Sequence, residues 1–164
     1  QDKETPPDAG YVALVNCTRM TIQNLTLMNN GQGILLAYTT NATITKNNLT
    51  NNYFGIQLWG SSDNSIYHNK FVDNSQHVFV QTGFANVWNS SYLSGGNYWS
   101  GYAGTDLFRG VCQNETGSDG IGDTPHIIDA NNTDHYPLMK PYAGPHDIGI
   151  KSVSTSETLS LIHI

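Results

Sequence analysis

Apolar residues in this chain recur at an interval longer than the period of any helix or strand. Displacing the sequence by 22 residues aligns it with itself. Ile22, Ile44 and Ile66 fall in one column, and Leu27, Leu49 and Phe71 in a second. Val12, Ile34, Ile56 and Val78 form a third, and Leu14, Leu36, Leu58 and Val80 a fourth. A fifth column is polar: Asn30, Asn52 and Asn74. Within each repeat, short segments such as Gly33-Ile-Leu-Leu36 and Gly55-Ile-Gln-Leu58 alternate with period two and read as strands. Asn-Asn-Gly and Asn-Asn-Tyr link them, and Asn and Gly tolerate left-handed backbone.

A repeat this short cannot bury its own apolar face, but stacked repeats can, about 4.8 Å apart. The expected fold is all-β: a right-handed, single-stranded parallel β-helix with 22-residue turns and an irregular C-terminal cap. Aliphatic columns make the core, and Asn30, Asn52 and Asn74 form a structural amide ladder. A leucine-rich repeat would need leucine-dominated spacing and a helix-like arc, which these Asn/Thr-rich arcs do not provide.

The register fades after Gln81, although Trp88 still falls on the Ile66 column. Residues 1–91 are read as β-helix turns that continue upstream. Residues 92–142, rich in Gly, Tyr and Asp, are read as the cap, with Trp88, Tyr98 and Trp99 plugging the end of the stack. Residues 143–158 are read as a linker, punctuated at Gly144-Pro145, and the start of a following β-sandwich-like module. Residues 159–164, Leu-Ser-Leu-Ile-His-Ile, read as a translated sequencing-adapter scar and are set aside.

Composition narrows the functional classes. Charged residues make up only 12%, and the formal net charge is −6. Nucleic acid is excluded as a partner, because phosphate contacts need clustered cations. No apolar run approaches the ~18 residues of a membrane span. Asn-x-Ser/Thr sequons at Asn16, Asn24, Asn41, Asn48, Asn89, Asn114 and Asn131 are compatible with export. Cys17 and Cys112 lie some four turns apart, beyond disulfide reach, so two free thiols are expected.

Three segments carry a resemblance: Gly96-Asn-Tyr-Trp-Ser100, Asp119-Gly-Ile-Gly-Asp-Thr-Pro125 and Asp134-His-Tyr-Pro-Leu-Met139. With the 22-residue turns, they resemble secreted NosD-like β-helix proteins of the pectate-lyase-like superfamily, over roughly residues 10–142. Residues 146–158 resemble the start of a CARDB-type adhesion module. The resemblance implies a protein in the periplasm, at the cell surface or outside the cell. It raises copper as a ligand, since the family's namesake serves copper-site maturation. The superfamily also holds polysaccharide lyases, hydrolases, epimerases and non-catalytic binders, so the fold does not settle activity.

Four candidate chemistries follow. The loop Asn114–Asp123 places Asn114, Asp119 and Asp123 on a Gly-rich turn, with Asp106 as a further oxygen ligand, a pattern suited to structural Ca2+. Copper needs clustered soft or imidazole donors. His68, His77, His126, His135, His146 and His163, with Met20, Met28 and Met139, form no such run, so a copper site is not expected here. Glycosidic catalysis needs paired carboxylates or a charged cluster. The turns offer Asp63 and Asp73 with Arg19, Lys46 and Lys70, and a polar strip of Asn24, Lys46 and His68. Glycan binding needs exposed aromatics and planar amides, and Tyr53, Gln57, Trp59 and Phe79, beside Leu35, fit that need. The sequence reading is therefore a non-catalytic, exported scaffold or glycan-binding solenoid. One alternative is a carbohydrate-active enzyme with its catalytic turns upstream. Another is a copper-related accessory protein.

Overall fold

The computed structural model describes residues 10–82 and 84–144. The module start over 146–158 and the scar over 159–164 lie outside the described residues. The chain forms a parallel β-solenoid of about three turns. The first turn holds β1 (Val12–Val15), β2 (Thr21–Gln23) and β3 (Thr26–Met28). The second holds β4 (Gln32–Ala37), β5 (Thr43–Thr45) and β6 (Asn48–Thr50). The third holds β7 (Phe54–Trp59), β8 (Ser65–Tyr67) and β9 (Lys70–Val72), and β10 (Gln76–Gln81) opens a fourth. Stacking gives sheet 1 (β1-β4-β7-β10), sheet 2 (β2-β5-β8) and sheet 3, in which β3, β6 and β9 are followed by β11 (Tyr98–Trp99). Val12 pairs with Ile34, Ile34 with Ile56 and Ile56 with Val78, all parallel.

The aliphatic columns fill the interior. Ile34, Leu36, Ile44, Leu49, Ile56, Leu58, Ile66 and Phe71 are fully buried. Each such side chain stabilises the fold by about 1.5–3 kcal/mol relative to exposure. Strict alternation fails at one place in sheet 1. A Cβ on Gly33 would meet the Gly55 carbonyl oxygen at 2.7 Å, and one on Gly55 would meet that of His77 at 2.5 Å. Leu49 and Phe71 also border these glycines, so this position faces inward beside Ile34 and Ile56. Two consecutive inward positions reverse the parity before them. Phe54 therefore lies outside, against Phe79.

Between the sheets, the backbone turns corners at non-glycine residues with positive φ. Asn24, Lys46 and His68 form one such column, and Asn29, Asn51 and Asp73 another. Arg19, Asn41 and Asp63 form a third. This conformation costs L-residues about 1–2 kcal/mol each. The residue after the corner gives its N–H to a side-chain amide of the next turn, in three ladders. Asn52 Oδ1 accepts the N–H of Asn30, while its Nδ2 donates to the Leu27 carbonyl and to Asn74 Oδ1. Asn47, Asn69 and Asn97 repeat the pattern, from the Leu25 N–H upward. Asn64, Asn86 and Asn132 repeat it from Ala42. Each amide thus supplies the hydrogen bonds that the sheets cannot supply at a bend.

The chain closes sheets 2 and 3 unequally with sheet 1. Trp88 and Trp99 lie over the core, and Trp99 stacks on Phe71 at 4.3 Å. Asn132 Oδ1 accepts the Trp88 indole N–H, and Asp134 Oδ2 accepts that of Trp99. Leu138 bridges to Tyr98 above sheet 3. The remaining strands are two short hairpins: β12 (Phe108–Arg109) with β13 (Glu115–Thr116), and β14 (His126–Ile127) with β15 (Thr133–Asp134). Sheet 1 ends at β10, where Val78 and Val80 are half-buried while Ile56 and Leu58 beneath them are fully covered.

Asn69→Leu leaves the Asn47 N–H and the Asn47 side-chain amide without their acceptor and removes the amide bond to the Ile44 carbonyl. It is expected to lower the unfolding free energy by about 3 kcal/mol. Asn114→Ala, at an exposed loop position, is expected to change it by less than about 0.5 kcal/mol. Urea denaturation of the two variants checks this contrast.

Candidate functional site

The outer face of sheet 1 is a uniform surface. The register sets out three rows across β4, β7 and β10: Gln32, Phe54, Gln76; then Leu35, Gln57, Phe79; then Ala37, Trp59, Gln81. No residue in these rows is charged. Phe54 and Phe79 lie 5.1 Å apart between ring centroids, and Tyr53 meets Phe54 edge-on at 4.7 Å. Tyr53 and Trp59 are 60% and 43% exposed, open enough for a flat ligand to stack. Of the sequence candidates, Tyr53 and Phe79 come together through Phe54. Gln57 lies beside Phe79 in register, and Trp59 stands at the far end of the strand. Phe54 was missed because counting by twos from Ile56 places it inside. The glycine column at Gly33 and Gly55 is the signal that would have placed it outside.

The acidic loop has a different organisation. Asp106 accepts the N–H groups of Asp119 and Gly120, one on each oxygen. Asp123 accepts the N–H groups of Leu107 and Phe108 and the hydroxyl of Thr105. Asp119 accepts the Tyr92 hydroxyl at 2.6 Å, the Gln113 amide and the Ile121 N–H. Desolvation opposes ionisation of Asp119, but its hydrogen bonds outweigh that and hold its pKa below the usual carboxylate value. Asp123 is held low by the same balance. The three carboxylates fasten an irregular chain to itself, and Asn114 lies exposed nearby. Among the described residues, no three His, Cys, Asp or Glu side chains are grouped so as to hold a metal ion.

The third region is the unfinished edge of sheet 1. A cleft of about 240 Å³ lies between β10 and β14, lined by Gln76, His77, Val78, Trp99, His126 and Ile128. His77 occupies the inward column of Gly33 and Gly55. A side chain fits there because, among the described residues, no strand of sheet 1 lies above it. The His126 ring stacks on Trp99 at 4.4 Å, and burial, then the nearby His77, lowers its pKa. His68 is also buried, at the corner before sheet 3, stacked on Tyr142 at 3.5 Å. Cys17 and Cys112 are free thiols, one half-buried and one exposed.

A parallel stack with amide-clamped corners and an aromatic-plugged end narrows the family. The family profile described as periplasmic copper-binding protein (NosD) matches residues 8–104, more than half of the chain. The chain belongs to the NosD family. No curated protein and no solved structure matches it. The NosD description supports a periplasmic or extracellular location at that coarse level. No helix among the described residues is long and apolar enough to cross a membrane. Copper is the ligand this NosD description implies, and the residues described here do not fit it. His77 and His126 share one cleft, but His77 has both ring nitrogens engaged, and His68 and His135 lie on other parts of the chain.

Asp134 gives a pH-dependent test of the end closure. It is fully buried, and burial raises its pKa to about 6 against three N–H donors, from Asn97, Trp99 and Tyr136. The folded state therefore retains this proton where the unfolded chain has lost it. The stabilisation is complete below about pH 4 and is lost as pH rises through about 6. His68 and His126, whose pKa values burial lowers, add the opposite slope. The difference between the parent and Asp134→Asn isolates the carboxyl. Relative to the variant, the parent is expected to lose about 2–3 kcal/mol between pH 4 and pH 6.5, measured by urea denaturation at each pH.

Proposed function

We propose that this NosD-family chain is a non-catalytic solenoid that binds a neutral glycan along the outer face of sheet 1. The observation that carries the reading is the uncharged grid of aromatic rings and carboxamides across β4, β7 and β10. Flat rings stack on the apolar faces of sugars, and glutamine amides hydrogen-bond to hydroxyls. The net charge of −6 disfavours acidic polysaccharides as ligands. Glycosidic catalysis is not part of this reading: the turns carry Asp63 and Asp73 on different corner columns, away from this face.

The family description favours a second reading, a copper-related accessory protein in which the solenoid is a scaffold for partners. The two readings separate experimentally. Affinity electrophoresis of the chain through gels containing neutral and acidic polysaccharides is expected to show retardation by a neutral polymer. Trp59→Ala and Phe79→Ala are each expected to weaken that retardation about ten-fold, while Asp63→Ala leaves it unchanged. Free migration through every gel would count against the glycan reading and leave the accessory scaffold.

A further inference from the structure

Copper is what the family description offers as a ligand, so the state of each imidazole is informative. His77 Nε2 lies 3.0 Å from the Ser100 carbonyl oxygen, which only accepts, so Nε2 carries the proton. Nδ1 is then the acceptor, 3.3 Å from Asn74 Nδ2. Asn74 belongs to the first amide ladder and uses the same Nδ2 to reach the Leu49 carbonyl. His77 is therefore the last member of an inward column. It joins the open end of the stack to the turn that carries Ser100.

His68 is fixed in the same tautomer. Its Nε2 lies 2.7 Å from the Ser94 carbonyl oxygen, and the ring is held between Tyr142 and the edge of Tyr67. Its Nδ1 is buried and meets no hydrogen-bonding atom. Burial, and then the Lys46 charge, lower its pKa against the Ser94 contact. The ring fastens residues 140–142 to the outside of the solenoid, where Lys46 also lies over Tyr142 at 5.9 Å.

The other two described imidazoles diverge. His126 is paired across the hairpin with Asp134, so both share a face, while His135 follows Asp134 and points to the other. The thioethers are equally scattered. Met28 ends β3 in sheet 3, Met20 precedes β2 in sheet 2, and Met139 is tied to Gly120 in the closing segment.

We infer that His68, His77 and His126 are architectural and do not hold copper: their rings secure the closing segment against the last turns. A metal could take His77 only by removing a hydrogen bond that secures that end, and the free lone pair of His68, on Nδ1, is buried. This inference is independent of the glycan reading, which concerns the opposite face of sheet 1.

The test is an anaerobic titration of the whole chain with Cu(I) in the presence of bicinchoninate. It is followed by the fluorescence of the buried Trp88 and Trp99 and by imidazole nitrogen resonances. Bicinchoninate is expected to keep the metal, with less than about a tenth of an equivalent transferred to imidazole. His68 and His77 are expected to retain their Nε2–H signatures throughout. Retention of copper with unshifted imidazole resonances, unchanged in His126→Phe, also supports the inference, because the donors are then sulfur. One equivalent bound with shifted His68, His77 or His126 ring-nitrogen resonances, or loss of binding in His126→Phe, would overturn it. The phenylalanine preserves stacking on Trp99, and far-ultraviolet circular dichroism checks that the variant is folded.

Discussion

Stacking in register every 22 residues is the constraint on which the rest of this structure depends. Parallel pairing satisfies the backbone within each strand, but every turn must also bend between its sheets. At those bends, left-handed residues such as Lys46 and His68 set the direction, and a buried amide takes over the hydrogen bonding. Asn47, Asn52, Asn64 and Asn69 each hold an N–H and a carbonyl of the turn below. An amide has both a donor and an acceptor in one plane, and no aliphatic residue can replace it. This explains how a chain with only 38% hydrophobic residues builds a closed interior.

The same requirement explains how the stack ends. Asn132 and Asp134 take the top positions of two ladders and also hold the indoles that cover the core. Asp134 meets three N–H donors, which suits a carboxylate better than the amide used below it. Sheet 1 receives no such cover, so an imidazole can stand where the preceding turns require glycine. The outer face of that sheet is left with aromatic and amide rows. The acidic residues of the closing loop act on its own backbone.

Much of the fold was legible because it is written several times. The aliphatic columns over Ile34 and Leu36 recur without a gap, and the structure pairs them at the expected register. The Asn30, Asn52, Asn74 column is equally visible. The other two ladders are harder to read, since Leu25 and Ala42 begin them. They also end after jumps of 28 residues, from Asn69 to Asn97, and 46 residues, from Asn86 to Asn132. The candidate surfaces were legible only in part. Alternation placed Gln57, Trp59 and Phe79 on one face, but the paired inward positions at Gly55 and Ile56 put Phe54 there as well. The cleft at His77 depends on contacts with Ser100 and Trp99 that no repeat encodes. The hydrogen bonding of Asp106, Asp119 and Asp123 depends on an irregular path in the same way.

The central claim is that side-chain amides bind successive turns together. Hydrogen exchange of the asparagine Nδ2 protons, followed by nuclear magnetic resonance, tests it most directly. The account predicts that Asn47, Asn52, Asn64 and Asn69 exchange as slowly as the backbone N–H groups of Ile44 and Ile56. Exchange of those amides as fast as that of the exposed Asn51 would contradict it.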